Sequence, residues 1–572
     1  MRRRLRAPPG RRGRRALSEA RGHRRPRKTR LWLALGAAAV LSCWALPWDL
    51  SHLATADGWS AAWRRVGAFA TAFTPPDLSG STIELAWQLA TQTLAIAVLG
   101  VGIGFVCAYP LALLSTRAVL EDGCRRRSVS RQVVREGSRL LLDTLRGVPD
   151  FAWALVLLTI FGATAITAVL AIAVHVAGIL GKILSELWDS VPQRQYEALR
   201  GSGAGRLQIL LYGIQPLAGR SMLSFGLMRF ECAVRNASVI GAVCGAGLGG
   251  AILQEIGYDN KQRAVTLLLA TLALTVGADL ASNAVRRLLQ RERAATLRQA
   301  RTRRQLVAIG VSAAVALSVY AIRAPIAGLG AEFARLDTRF LRERYGQLLV
   351  PDLSGATLLE AAGGAVVPLA MAVLATAAAC LLAACMSWCG SGTFQLHSQR
   401  FAPARTSTGQ RALRTALMGA TRLAATVLRG VPEVAWVWVL SLFFLPGIEA
   451  AVGAMLLHSA GILSRVFTET VDNVPYQALE RSGAPSRGTA FVYAAVPRSW
   501  REWRSYALFQ FESNVRAGVV LGIVGVGGIG FLFRRALQHG SMERASTFLL
   551  ATIVLTVSID RISRRLSRSP RC

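Results

Sequence analysis

The chain has 572 residues, 52% of them hydrophobic, with nine cysteines and a net charge of +35. That length is enough for several domains, yet no long stretch reads as a water-soluble core, because the apolar residues are bunched into runs. The charge would suit nucleic acid, since Lys and Arg clusters neutralise phosphates; its placement between the apolar runs argues against that partner and for the cytoplasmic loops of a multispanning membrane protein.

In chain order, a basic tail over residues 1–30 precedes the apolar run Leu31 to Trp48. This arrangement resembles a secretory signal, but Arg303 and Arg304 precede a second such run, Leu306 to Ile322, deep inside the chain. The first run is therefore read as a retained helix, with its extracytoplasmic loop filling residues 31–82. A first membrane domain is expected over 83–286. Its helix two runs from about Ile83 to Leu114, helices three and four lie on either side of Gly162, helix five spans about Pro216 to Ile240, and helix six Ala264 to Val285. Runs of this kind approach or exceed the roughly 20 residues that cross a bilayer. A basic cytoplasmic linker follows at 287–304, then a helix and loop at 305–356, a second membrane domain at 357–564 and a basic tail at 565–572. The cysteines form no C-x-x-C pair and mostly sit in apolar runs, so neither disulfide nor metal is expected.

The second half repeats the first. Pro76-Asp77-Leu78-Ser79-Gly80 returns as Pro351-Asp352-Leu353-Ser354-Gly355, and Leu145-Arg146-Gly147-Val148-Pro149-Asp150 as Leu428-Arg429-Gly430-Val431-Pro432-Glu433. His175 with Ala177-Gly178-Ile179-Leu180 returns as His458 with Ala460-Gly461-Ile462-Leu463; Phe230-Glu231 and Val234-Arg235 return as Phe511-Glu512 and Val515-Arg516; Asp279 returns as Asp560. The order is kept throughout, at a spacing of about 280 residues. Six spans per unit is an even number, so both units share one orientation: an all-α integral membrane protein with a parallel repeat and a transport path between the halves.

Tyr196-Glu197-Ala198-Leu199-Arg200-Gly201-Ser202-Gly203-Ala204, followed by Pro216, is a polar loop with a short helical stretch, a glycine turn and a proline opening the next span. It resembles the EAA loop of ABC importer permeases, with Glu197, Ala198, Gly203 and Pro216 at that pattern's places. The second copy keeps Ala478 and Gly483, but Gln477 replaces the acid and one extra residue precedes Pro497. Arg146-Gly147-Val148-Pro149-Asp150 with Trp153, and Phe230-Glu231 through Arg235 followed by the glycine-rich Gly241 to Gly250, are similar to segments of the phosphonate importer permeases; the second half repeats both. The resemblance implies two type I ABC importer transmembrane domains in one chain, moving phosphonate, phosphate or phosphite into a bacterial cytoplasm. It implies a separate ABC ATPase, in two copies, at the Glu197 and Gln477 loops, an extracytoplasmic binding protein, both termini in the cytoplasm, and no cofactor or enzymatic activity in this chain.

Glu231 and Arg235 stand four apart on one helical face, as do Glu512 and Arg516. Such pairs stabilise a helix; alternatively Arg235 and Arg516 line the path and offer a donor fork to a dianion. A charge held at mid-membrane costs about 2.5–3.5 kcal/mol, which favours a partner or a wet path. The glycine-rich stretches imply irregular backbone at the outer end of helix five. His175 and His458, inside apolar helices, suit either a packed histidine with one hydrogen bond or a proton or metal site. Arg146 and Arg429 are read as snorkelling to headgroups. The rival functions are an ion-coupled transporter, which would tolerate loss of the Glu197 loop, and an intramembrane enzyme built on the two histidines.

Overall fold

The computed structural model describes residues 36–72, 74–117, 129–290, 297–328, 339, 346–348, 350–396, 407–480 and 483–567. The basic tail, the Arg125 to Arg127 loop, part of the linker and the last five residues lie outside the described residues, as does the side chain of Ala478.

Among the described residues every regular element is helical. The first half contains α1 (Gly36–Ala45), α2 (Ala56–Ala72), α3 (Gly80–Ser115), α4 (Val129–Gly147), α5 (Asp150–Phe161), α6 (Ala165–Ser190), α7 (Glu197–Gly201), α8 (Gln215–Cys244), α9 (Gly247–Gly257) and α10 (Lys261–Gln290). The second half runs α11 (Leu297–Ala321), α12 (Gly355–Gly390), α13 (Thr408–Gly430), α14 (Glu433–Phe444), α15 (Ile448–Asp472), α16 (Tyr476–Glu480), α17 (Val496–Leu521), α18 (Gly528–Gln538) and α19 (Met542–Ser567). Six of these are long and apolar enough to cross a bilayer alone, or nine if each bent pair is one span, among the described residues. Helix three is the departure from a simple reading: α5 has 12 residues, about 18 Å of rise at 1.5 Å per residue, short of a hydrocarbon core of about 30 Å. In the second half the equivalent α14 meets the amphipathic α13 at a 101° bend.

The repeated Pro-Asp-Leu-Ser-Gly motif has a structural task. Asp77 accepts from the Ser79 amide at 3.0 Å and from Thr82 Oγ1 at 2.6 Å, so it braces the turn into α3, and its carbonyl accepts from Thr266 Oγ1 of α10 at 2.8 Å. Asp352 does the same for α12, with Ser354, Thr357 and Thr547. From there α3 packs along α6 through small residues. A methyl at Gly100 would lie 2.7 Å from Ile172 Cγ2, and one at Gly104 2.9 Å from the Ala173 carbonyl; without Cβ atoms the two backbones close up, the means by which helices associate where lipid is as apolar as leucine.

Helix five breaks where glycines allow it. α8 ends at Gly245 (φ +62°), and Gly247 (φ +61°) turns the chain into α9, 47° away. α17 does likewise through Gly525 and Gly527, with a 52° bend into α18. The returning arm lies so close that a methyl on Gly249 would overlap the Ser238 carbonyl, and one on Gly530 the Val519 carbonyl.

Each half also carries a helix that belongs to the other's surface. α11 packs on α3 and α10, and Ile322 joins the core of Ile96 and Ile172. Conversely Leu46 joins the core of Met371 and Met455, Trp59 and Trp63 meet Phe443 edge-on at 5.2 and 5.6 Å, and Arg65 Nε donates to the Leu442 carbonyl at 2.9 Å.

Two outcomes are expected. Gly249→Ala and Gly530→Ala lose folded protein in detergent melts, whereas Gly277→Ala, in open space on an exposed helix interior, is neutral or stabilising by up to about 1 kcal/mol. The hydrogen bonds from Thr82 and Ser79 hold the Asp77 carboxyl well below the usual range, and those from Thr357 and Ser354 lower Asp352. A depressed folded pKa contributes stability above the unfolded value, about 3.9, and loses it as pH falls through the folded one. Asp77→Asn and Asp352→Asn should therefore lower the melting temperature by a constant amount from neutrality to about pH 5, with the difference from wild type shrinking below about pH 4.

Candidate substrate path and coupling surface

The centre of each half is the corner between the amphipathic helix and the short third span. Pro149 and Pro432 have no amide hydrogen and start α5 and α14. The corner would leave a carbonyl without a helical partner, and the histidines take it: His175 Nδ1 lies 3.0 Å from the Val148 oxygen and His458 Nδ1 3.1 Å from the Val431 oxygen. A carbonyl only accepts, so Nδ1 carries the proton in both rings. The tryptophans of the same motifs donate to Leu145 and Leu428 carbonyls at 3.4 and 3.1 Å. Gly178 and Gly461 complete the joint, since a methyl on either would stand 2.6 Å from the amide nitrogen of Arg146 or Arg429. His175 thus has the one hydrogen bond of a packed histidine, whereas His458 Nε2 lies in addition 3.2 Å from Glu433 Oε1, so both nitrogens of that ring face oxygen.

Arg146 and Arg429 do not snorkel. Each turns into the protein and pairs with the other half: Arg146 Nη2 is 2.7 Å from Asp560, and Arg429 Nη2 is 2.5 Å from Asp279. The expectation fails because these aspartates, at the same place on helix six of each half, offer each arginine a charge partner inside the bundle. Arg146 also reaches Glu512 at 3.6 Å, and Lys182 ties Asp143 to Asp560, the latter at 3.7 Å. Thr556 Oγ1 donates to the Gly147 carbonyl at 3.0 Å across the same seam. In the second half Thr426 occupies Asp143's place and Arg465 pairs outward with Glu469, leaving a cavity of about 350 Å³ lined by Asp279, Asn283, Arg422, Arg429 and Asp472.

The helix-five charges follow unequal rules. Glu512 and Arg516 form the intrahelical pair at 2.8 Å. Glu231 does not pair with Arg235: it is held by Arg286, at the end of helix six. Arg235 has no ion pair among the described residues, its Nε is buried without a hydrogen-bond partner, and it lies within electrostatic range of His458 and Arg429 of the other half. Arg516 in turn is within range of His175. One turn beyond each arginine, toward the glycine hairpins, Val239 and Val243 of α8 join Val519 and Ile523 in one apolar cluster.

At the opposite end of helix five the two loops project short helices. Tyr196 is 4% exposed and seated against Gly213, while Glu197, Ala198 and Gly203 (φ +80°) are exposed. In the second loop Leu479 is the buried anchor at 1% exposure, and Gln477 and Gly483 (φ +59°) are exposed. Each loop leads into helix five through a wide turn, Ile209–Ile214 and Phe491–Ala495, just before Pro216 and Pro497. Sequence reading missed Lys182 and Arg286 as partners. It noted Asp279 and Asp560 as a repeat, and the conserved spacing of an acid in each apolar sixth helix was the available signal.

Residues 124–294 match the family described as binding-protein-dependent transport system inner membrane component. The putative cryptic phosphonate transport system permease protein PhnE2 of Escherichia coli is 32% identical over 20% of this chain and 96% of its own length. The chain belongs to the phosphonate ABC transporter permease family. The phosphate-import permease protein PhnE of Mycolicibacterium smegmatis is 26% identical over 92% of both chains, and the putative phosphite transport system permease protein HtxC of Stutzerimonas stutzeri is 29% identical over 44% of this chain and 86% of its own. This permease is a multi-pass membrane protein that carries two copies of the permease unit in tandem.

The seam between the copies can be measured directly. Arg429→Gln and Asp279→Asn each leave a buried charge unpaired, an expected loss of about 3 kcal/mol apiece. The double variant should lose less than the sum, a coupling that thermal unfolding of the four proteins in detergent reads out.

Proposed function

We propose that the permease is the pore of an importer for phosphonate-class oxyanions, phosphate and phosphite included, driven by ATP hydrolysis in a separate subunit bound in two copies. The relatives named for phosphate, phosphite and phosphonate transport support the substrate class. The observation that carries the drive is the pair of exposed short helices, each fixed from beneath by one buried side chain, Tyr196 or Leu479. A helix anchored on one side and bare on the other suits insertion into a partner's groove. Glu197, Ala198 and Gly203, with Gln477, Ala478 and Gly483, are the contact residues in this reading.

The halves at 83–286 and 357–564 are the two transmembrane domains, with both termini in the cytoplasm beside the loops. An extracytoplasmic binding protein delivers the anion at the glycine hairpins. The helix-five arginines, Arg235 and Arg516, with Glu231 and Glu512, flank the path. The valine cluster above them is the closed side, and alternating access opens it. The relatives named as transport permeases favour this reading over an intramembrane enzyme.

Glu197→Lys should strip the ATPase from the purified permease and lower phosphate or phosphonate uptake at least about tenfold at normal abundance. Uptake that continues in cells lacking the ATPase would instead support ion coupling.

A further inference from the structure

The two halves are repeats, yet their fifth helices present different charge to the path. In the second half the groups equivalent to Arg229 and Arg235 are committed. Gln510 donates to Ser459 Oγ at 3.0 Å and to Asn514 at 3.1 Å, and Arg516 is paired with Glu512, itself also approached by Arg146. The first half has Arg229 where the second has Gln510, and Ser238 where the second has Val519. Arg229, Arg235 and Ser238 each carry a buried polar atom with no hydrogen-bond partner, and neither arginine has an ion pair among the described residues. Ser238 is 5% exposed and stands one turn from Arg235 on the same side of α8. Buried Nε atoms without an acceptor also occur on ion-paired arginines such as Arg146 and Arg286; what sets Arg235 apart from Arg516 is that it has no ion pair among the described residues, and an inward cation without one marks a place for an anion that arrives from outside.

Arg286 accounts for the difference. Its guanidinium holds Glu231 and donates to Ser282 Oγ at 3.2 Å. The position equivalent to Arg286 in the second half is Ser567, which cannot do this, and there Glu512 turns to Arg516.

We infer that the permease binds its oxyanion on one side only, through Arg235 and Ser238 of the first half, and that Arg286 is a positioning residue that keeps Glu231 from neutralising Arg235. The Arg235 guanidinium supplies a fork of N–H donors to a tetrahedral anion and the Ser238 hydroxyl a further contact, whereas Arg229 lies on the opposite side of α8 from Ser238. The second half's arginine is structural. This rests on the importer reading given above.

The test uses the full chain assembled with its ATPase and binding protein in liposomes. Inorganic phosphate, phosphite and methylphosphonate serve as separate probes, and the readout is ATP hydrolysed per anion transferred. A merely structural defect lowers both rates together and leaves that ratio alone. Arg235→Gln should raise it about tenfold, whereas Arg229→Gln and Arg516→Gln raise it less than about twofold and the latter lowers thermal stability. Arg286→Gln should raise it about fivefold by releasing Glu231, and the double variant E231Q/R286Q should reverse most of that rise. Arg235→Lys, which keeps the charge and loses the fork, guards against misassembly: it should assemble normally with an intermediate ratio. Equal ratios in Arg235→Gln and Arg516→Gln would overturn the one-sided site and leave the importer reading standing. A wild-type ratio in Arg286→Gln would overturn its positioning role, and transfer of none of the three anions by the wild-type chain would overturn the substrate class together with the site.

Discussion

The reciprocal pairs Arg146 with Asp560 and Arg429 with Asp279 set the constraint on which the rest of the permease depends. Each arginine leaves the backbone at a corner where two helices meet without a regular hydrogen-bond ladder, and each aspartate comes from the sixth helix of the opposite half. Charges in an apolar bundle are tolerated only with partners of good geometry, so the halves can approach in one register. That register brings His175 near Arg516 and His458 near Arg235. It also brings the valines of both fifth helices together.

Around this seam the duplication is incomplete in an informative way. Scaffold contacts are kept in both copies: the aspartates that brace the turns into α3 and α12, the histidine to valine carbonyl bonds, and the glycines that let the fourth span touch the corner. Polar groups facing the interior are free to differ, and they do. Lys182 and Asp143 fill one side of the seam while Arg465 and Thr426 leave a cavity on the other. A repeat fixes how the backbone packs; it does not oblige both halves to meet a ligand in the same way.

Much of this architecture was legible from the residues. The apolar runs located most of the spanning helices, and Gly241 to Gly250 foretold a break that Gly245 and Gly247 make with positive φ. The third span was the least readable, because Phe151 to Phe161 is apolar enough for a span but too short for one on its own. Helical spacing suggested Glu231 with Arg235 as well as Glu512 with Arg516, and only the second pair forms. Spacing along one helix has no information about a competitor arriving from another, and Arg286 lies 55 positions further along the chain than Glu231. The same blindness explains Arg146 and Arg429, whose partners sit in the opposite half.

The exchange of first helices has a consequence for how the protein is made. Ile322 completes a core whose other members are all synthesised before it, and Leu46 waits for Met371 and Met455 to emerge. Neither half can finish its packing alone during translation, since each lends the other a missing stave. A ribosome that stalled in the middle of the message would release a bundle with an uncovered flank. Joining the copies in one polypeptide keeps the two staves at fixed stoichiometry and close to the surfaces that need them.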